Sequence, residues 1–174
     1  MNKRLTEVSG FLDGCRGEVY AAIEGMPEAR LERVPAAGGW TAAQVLEHLA
    51  LAESKTSQYL AARLAKAIAA GLAREEDETS VLAMTGGFPV IAQAQAPEVV
   101  VPAAGVTAAA AVADLRASHA EMHALLRSAD GWALASVLTR HALFGPMQMY
   151  QSLLFIGYHD RRHLPQIVRA AAAA

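Results

Sequence analysis

The stretch Trp40-Thr41-Ala42-Ala43-Gln44-Val45-Leu46-Glu47-His48-Leu49 decides how this chain is read. Thr41 can cap the first turn of a helix, Gln44 can return the bond three residues on, and Trp40 can pack on Val45 as a hydrophobic staple. From that start Val45, Leu49, Ala52, Thr56, Tyr59 and Leu60 recur at helical spacing, which predicts a helix from Thr41 to about Leu72. His48 falls on the edge of this apolar arc.

Working outward, Leu5, Val8, Leu12, Cys15, Val19, Ile23 and Met26 form the stripe of a first helix that ends at Pro27. Gly10, Gly14 and Gly17 lower helix propensity there, and their spacing could let a partner helix come close. Downstream, Arg74 to Thr107 breaks the pattern with an acidic run (Glu75, Glu76, Asp77, Glu78), Gly86-Gly87, and Pro89, Pro97 and Pro102. A connection this long reads as a variable crossover or a candidate lid, with some extended structure expected at Val99-Val100-Val101. Thr107 then caps a third helix with Val112, Leu115, Met122, Leu125 and Leu126 as its stripe, ending near Gly131. Pro146 suits the first turn of a fourth helix, which runs through Met149, Leu153, Ile156 and Leu164 to the alanine tail and carries Pro165 inside it. Four helices, one long crossover between the second and third (about 74–107) and no clear strand predict an all-α, single-domain four-helix bundle over 1–174.

Composition agrees. The chain has 174 residues, of which 39 are alanine, so its apolar fraction of 53 % is weighted toward the best helix former rather than large core side chains. Its 15 Lys+Arg against 17 Asp+Glu leave a net charge of −2 with no basic run, which argues against nucleic acid or an anionic membrane as partner. Cys15 is the sole cysteine, so no intramolecular disulfide can form and a reducing compartment is expected, with Cys15 read as a buried helix thiol. The N-terminus lacks the apolar stretch of a secretory signal, and no window approaches the about 18 apolar residues that span a bilayer, so the expectation is a cytoplasmic protein.

The six histidines, at 48, 119, 123, 141, 159 and 163, are the chemically informative residues. His159 and His163 stand four apart on the last helix, so both rings lie on one face with β-carbons about 5–6 Å apart, a spacing that suits two positions around one metal ion. They flank the Ile156 edge of that helix's apolar arc as His48 flanks its own, and stripe edges line the grooves in which bundles place metals. His119 and His123 form a competing pair with the same spacing, and spacing alone does not choose between them. Asp160 falls inside the apolar arc, where a carboxylate needs a partner, so it is expected to orient a ligand histidine or to pair with an arginine such as Arg161. Glu47 and Glu53 are weaker candidates for proton transfer, Glu47 being turned away from His48.

The segment Gly39 to Leu49, together with His141-Ala142-Leu143-Phe144-Gly145-Pro146 and Leu154 to Ile167, resembles the DinB-like (YfiT-like) metalloenzyme superfamily. The matching features are a Trp…His-Leu start to the second helix, a glycine turn, and a final H-x-x-x-H-Leu-x-Gln-Ile helix. The resemblance implies a four-helix bundle, often dimeric, that holds a divalent metal, commonly nickel or zinc, through one histidine of the second helix and two of the last. Carried over, the ligands are His48, His159 and His163. His141 matches a non-ligand turn position, and His119 and His123 match no ligand.

Three neutral imidazoles leave coordination positions open for water or substrate. Since the family includes proteins resembling bacillithiol transferases and mycothiol-dependent isomerases, the resemblance implies a thiol-dependent transfer, or a hydrolysis, on a small-molecule substrate, with a low-molecular-weight thiol as partner and a homodimer as assembly. The alternative is a non-catalytic, stress-associated ligand-binding or structural bundle, whose stability would respond little to metal.

Overall fold

A computed structural model describes residues 1–36, 38–88 and 95–172; Pro89 and the last two residues of the alanine tail lie outside them. Five helices and one small hairpin make up the described chain: α1 (Lys3–Ile23), α2 (Glu28–Leu31), α3 (Ala42–Ala69), α4 (Ala108–Ser128), β1 (Leu138–His141), β2 (Gly145–Gln148) and α5 (Met149–Ala172). Helix α3 packs on α4 and α5, and α1 packs on α5. No helix among the described residues is long and apolar enough to cross a membrane.

The helix starts are chemical. Asn2 Oδ1 accepts from the Leu5 amide at 2.9 Å at the head of α1, and Thr107 Oγ1 accepts from Ala110 at 3.2 Å at the head of α4. At α3 the capping box forms as expected, with Gln44 N donating to Thr41 Oγ1 at 3.1 Å and Thr41 N donating to Gln44 Oε1 at 3.0 Å. The single turn α2, which follows Pro27, was not expected from periodicity because one turn is too short to show any.

Two departures lie before α5. Residues 138–148, expected to hold no strand, form an antiparallel hairpin in which His141 faces Gly145 across the turn. Gly145 takes φ 71°, a left-handed conformation that glycine adopts without a Cβ clash. Pro146 accordingly sits in β2 opposite Arg140 rather than in the first turn of the last helix, a position that proline tolerates in an edge strand. Inside the hairpin the buried Thr139 hydroxyl meets the Met147 carbonyl at 3.0 Å and the Ser152 hydroxyl at 2.6 Å, tying the strands to α5.

The described parts of the segment between α3 and α4 lie against the helices. Val81 is buried in the core. Arg4 pairs with Glu75 and Asp77 at 3.2 Å each, and the Tyr150 hydroxyl donates to Glu75 at 2.8 Å, so part of the acidic run is a docking element. Val99 and Val100 belong to a single 3-10 turn, Glu98–Val100, instead of extended chain.

The core falls into two apolar clusters. One gathers Leu5, Leu12, Leu60, Met122, Leu126 and Leu153; the other gathers Val19, Val45, Leu49, Leu115 and Ile167. Between them runs a buried polar layer with one residue from each long helix: Arg16 from α1, Glu53 from α3, Ser118 from α4 and Asp160 from α5. Arg16 donates through Nε to Asp160 Oδ2 at 2.8 Å, through Nη2 to Glu53 Oε2 at 3.0 Å, and through Nη1 to the Leu115 carbonyl at 2.9 Å. Ser118 Oγ donates to Glu53 Oε2 at 2.6 Å. Every charged group in this layer has an opposite charge and a hydrogen bond, which is the condition for keeping charge in a low-dielectric interior.

Candidate metal centre

His48 on α3 and His159 and His163 on α5 converge as the stripe-edge argument expects. Their rings lie 5.1 Å (48 to 159), 4.9 Å (48 to 163) and 4.5 Å (159 to 163) apart between centroids. One ligand nitrogen from each falls within 4.8 Å of the other two.

Hydrogen bonds set which nitrogens are free. The Val100 carbonyl can only accept, so His48 Nδ1, 2.7 Å away, carries its proton and leaves the Nε2 lone pair unused. Gln166 Oε1 does the same for His163 Nδ1 at 2.8 Å. His159 has ring contacts to Phe155, His48 and His163 and no hydrogen bond among the described residues. Burial keeps the three rings neutral: it lowers His48 below the ordinary imidazole value, drives His159 well below it, and brings His163 to about 4. Neutral rings, two of them with Nδ1 committed to an acceptor and the Nε2 lone pair free, are what a divalent ion requires, so the donor set fits a metal.

The histidines open onto a cavity of about 630 Å³. Its apolar wall includes Leu60, Leu143, Phe155 and Ile156, and Trp40 lies against His48 with ring centroids 5.0 Å apart. Lys55, Arg140 and Arg162 also line it, no carboxylate does, and none of the three cations is in an ion pair among the described residues.

His141 also faces the cavity, stacked on Phe144 at 4.7 Å. The Leu143 amide donates to its Nδ1 at 3.2 Å, so in the neutral ring, which burial favours, the proton sits on Nε2. This is the opposite tautomer to those of His48 and His163, and it makes His141 a donor rather than a ligand.

The profile of the DinB superfamily matches residues 12–167. The chain belongs to the DinB superfamily. No curated protein and no solved structure matches it. Among DinB-like proteins metal binding is a shared property, and the histidine groups described here can hold a metal.

Within this DinB protein the arginine that Asp160 pairs with is Arg16 and not Arg161: the carboxyl faces Arg16 across the polar layer, and burial raises it despite that guanidinium. Arg161 points outward and bonds Glu18 at 2.6 Å on the surface. The reason is angular, since adjacent helical residues diverge by about 100° and only Asp160 faces α1's buried side. Glu47 accepts from the Ala103 amide at 2.6 Å, away from the histidines, and Glu53 belongs to the polar layer. Lys55, Arg140 and Arg162 also face the cavity, which helix periodicity does not single out. Arg162 stands between the two histidines of the last-helix motif, but nothing along the chain marks Lys55 or Arg140 as facing one cavity.

His119 and His123 lie outside that cavity, where α4 meets Asp13 of α1. His119 Nε2 is 3.0 Å and His123 Nε2 2.9 Å from Asp13 Oδ1, and the two nitrogens are 3.1 Å apart. His119 Nδ1 reaches Glu53 Oε1 at 3.2 Å, a bond that raises the imidazole above its ordinary value. Partial burial works against Asp13, yet its bonds to His119 and His123 hold the carboxyl below its usual range.

Proposed function

We propose that this protein is a metal-dependent enzyme acting on a small anionic molecule, by thiol-dependent transfer or hydrolysis, at the site of His48, His159 and His163. The observation that carries this reading is the convergence of three neutral imidazoles, two with Nδ1 committed to acceptors, at the floor of a cavity whose charged groups are all cationic. A divalent ion held there, nickel or zinc, supplies Lewis acidity and makes a thiol or water nucleophilic near neutral pH.

The chain's own residues do the rest. Arg140, Arg162 and Lys55 receive a carboxylate, phosphate or sulfonate of the substrate, Arg through its planar fork. Leu60, Leu143, Phe155 and Ile156 cover the apolar part and exclude water, and His141 Nε2 offers a donor. A low-molecular-weight thiol bearing a carboxylate suits both the cations and the metal. The same reading takes the chain as one cytoplasmic four-helix-bundle domain working as a homodimer; the polar layer shared by the four long helices supports the bundle.

Metal analysis of protein prepared without a His-tag, beside His48→Ala and His159→Ala, tests the site, with thiol-conjugation and hydrolase screens before and after metal removal. Both variants are expected to lose metal and activity together. Unchanged metal content in both would overturn the assignment.

A further inference from the structure

His119 and His123 take no part in the site just described. We propose that Asp13, His119 and His123 form a second metal site, for a divalent first-row transition ion such as zinc, on the α1–α4 face.

The geometry is that of a ligand set. Asp13 Oδ1, His119 Nε2 and His123 Nε2 form a nearly equilateral triangle with edges of 2.9, 3.0 and 3.1 Å. A tetrahedral ion with bonds of about 2.0 Å holds its ligand atoms about 3.3 Å apart, so the triangle opens only slightly to admit one. Hydrogen bonding alone does not explain it. With one proton on each Nε2, both directed at Asp13, two N–H groups crowd each other along the third edge. With a single proton between the nitrogens, an imidazole lone pair faces a carboxylate oxygen. A cation at the centre makes all three edges favourable, and two histidines with one carboxylate on a face leave further positions open.

A second observation comes from the layer behind it. Glu53 Oε1 accepts from His119 Nδ1 at 3.2 Å, which fixes the tautomer and turns Nε2 toward Asp13, as carboxylates do behind metal-bound histidines. Glu53 is itself held by Arg16 and Ser118. Arg16 is one buried guanidinium shared between two buried carboxyl groups, Glu53 and Asp160, and His119 bonds to this layer through Glu53. A cation held by His119 would stand behind a carboxyl group that has only a share of one guanidinium. Side-chain exposures of 17 % for His119, 22 % for His123 and 55 % for Asp13 leave the site open to solvent on the Asp13 side.

The test is metal stoichiometry. Tag-free protein stripped with chelator is loaded with Zn²⁺, or with Co²⁺ for its absorption bands, dialysed, and assayed for metal per chain. Wild type is expected to hold two ions, with His123→Ala and Asp13→Ala each losing one, His48→Ala losing the other, and helical circular dichroism retained. His123→Gln, which keeps a polar side chain of similar reach, is expected to lose the same ion as His123→Ala. Should wild type hold one ion that His123→Ala removes and His48→Ala retains, this site stands and the cavity site falls. Should wild type bind metal only at the cavity, with Asp13→Ala and His123→Ala unchanged in stoichiometry and in Co²⁺ spectrum, the proposal is overturned.

Discussion

Arg16 and Asp160 meet in the middle of the protein, Nε to Oδ2 at 2.8 Å, joining α1 to α5 where neither side chain reaches water. Glu53 and the Leu115 carbonyl complete the guanidinium's partners, so one side chain ties all four long helices. Removing Arg16 strands two carboxylates in the interior. Arg16→Ala is expected to cost about 3–5 kcal/mol, the range for breaking a buried pair by deleting one partner. Arg16→Met combined with Asp160→Leu and Glu53→Gln is expected to recover much of that loss, because apolar or neutral groups of similar volume replace the charges. Urea unfolding of metal-free protein checks both, and equal stability of Arg16→Ala and wild type would contradict the role given to this layer.

Close approach of α1 and α5 rests on Gly157 and not on the α1 glycines. A Cβ at Gly157 would stand 2.6 Å from a Phe11 ring carbon and 3.0 Å from Cys15 Sγ, whereas Cβ atoms at Gly10, Gly14 and Gly17 would meet nothing within 4 Å. Gly157→Ala is therefore expected to destabilise by about 1–3 kcal/mol through overpacking. Gly14→Ala is expected to stabilise by about 0.5–1 kcal/mol through helix propensity. Thermal unfolding should show midpoints moving in opposite directions. Cys15 itself stays inert, since burial pushes its thiol up to about 11.

Patterns local in sequence are legible without the fold: the Thr41–Gln44 capping box, the stripe of α1, and the four-residue step from His159 to His163. His48 could be placed because an arc edge is a property of one helix. What could not be read depends on contacts between elements. Arg16 looks like an ordinary charged residue near a helix stripe until Glu53 and Asp160 are brought to it from 37 and 144 residues away. The hairpin is not legible along the chain because each four-residue strand is too short for alternation to register, and its proline also suits a helix start. Asp13 stands more than a hundred positions from His119 and His123, so their pairing stayed unexplained along the chain.

Acid should destabilise the metal-free protein. His48, His159 and His163 are held below the ordinary imidazole value by burial, so below about pH 6.5 the unfolded chain binds protons that the folded one refuses, and stability falls with pH. For His163, whose folded value is about 4, the loss between those limits is up to about 3 kcal/mol. His119 acts with the opposite sign: its value is raised, so its contribution is full below about pH 6.5 and is lost as pH rises through the folded value. Burial lowers His141 as well, so four lowered histidines outweigh one raised one. Urea midpoints of chelator-treated protein are expected to be lower at pH 5 than at pH 7, and His163→Gln should flatten that difference; identical midpoints would refute the neutral-histidine account.

The cavity's charge makes a prediction about ligands that needs no knowledge of the reaction. Among the described residues, Lys55, Arg140 and Arg162 line it without an ion pair and with no carboxylate in the lining. A small carboxylic acid with an apolar body should therefore raise the melting temperature more than its amide of the same shape, by mass action on the folded state. A hydrogen bond to a charged group contributes about 1.5–3 kcal/mol, so Arg162→Gln or Arg140→Gln is expected to weaken acid binding about tenfold or more while leaving amide binding nearly unchanged. The difference between acid and amide isolates the cations from the apolar wall, which both ligands share. If acids and amides shifted the melting temperature equally, or if the arginine variants lost both alike, the cations would be solvated rim charges and the substrate need not be an anion.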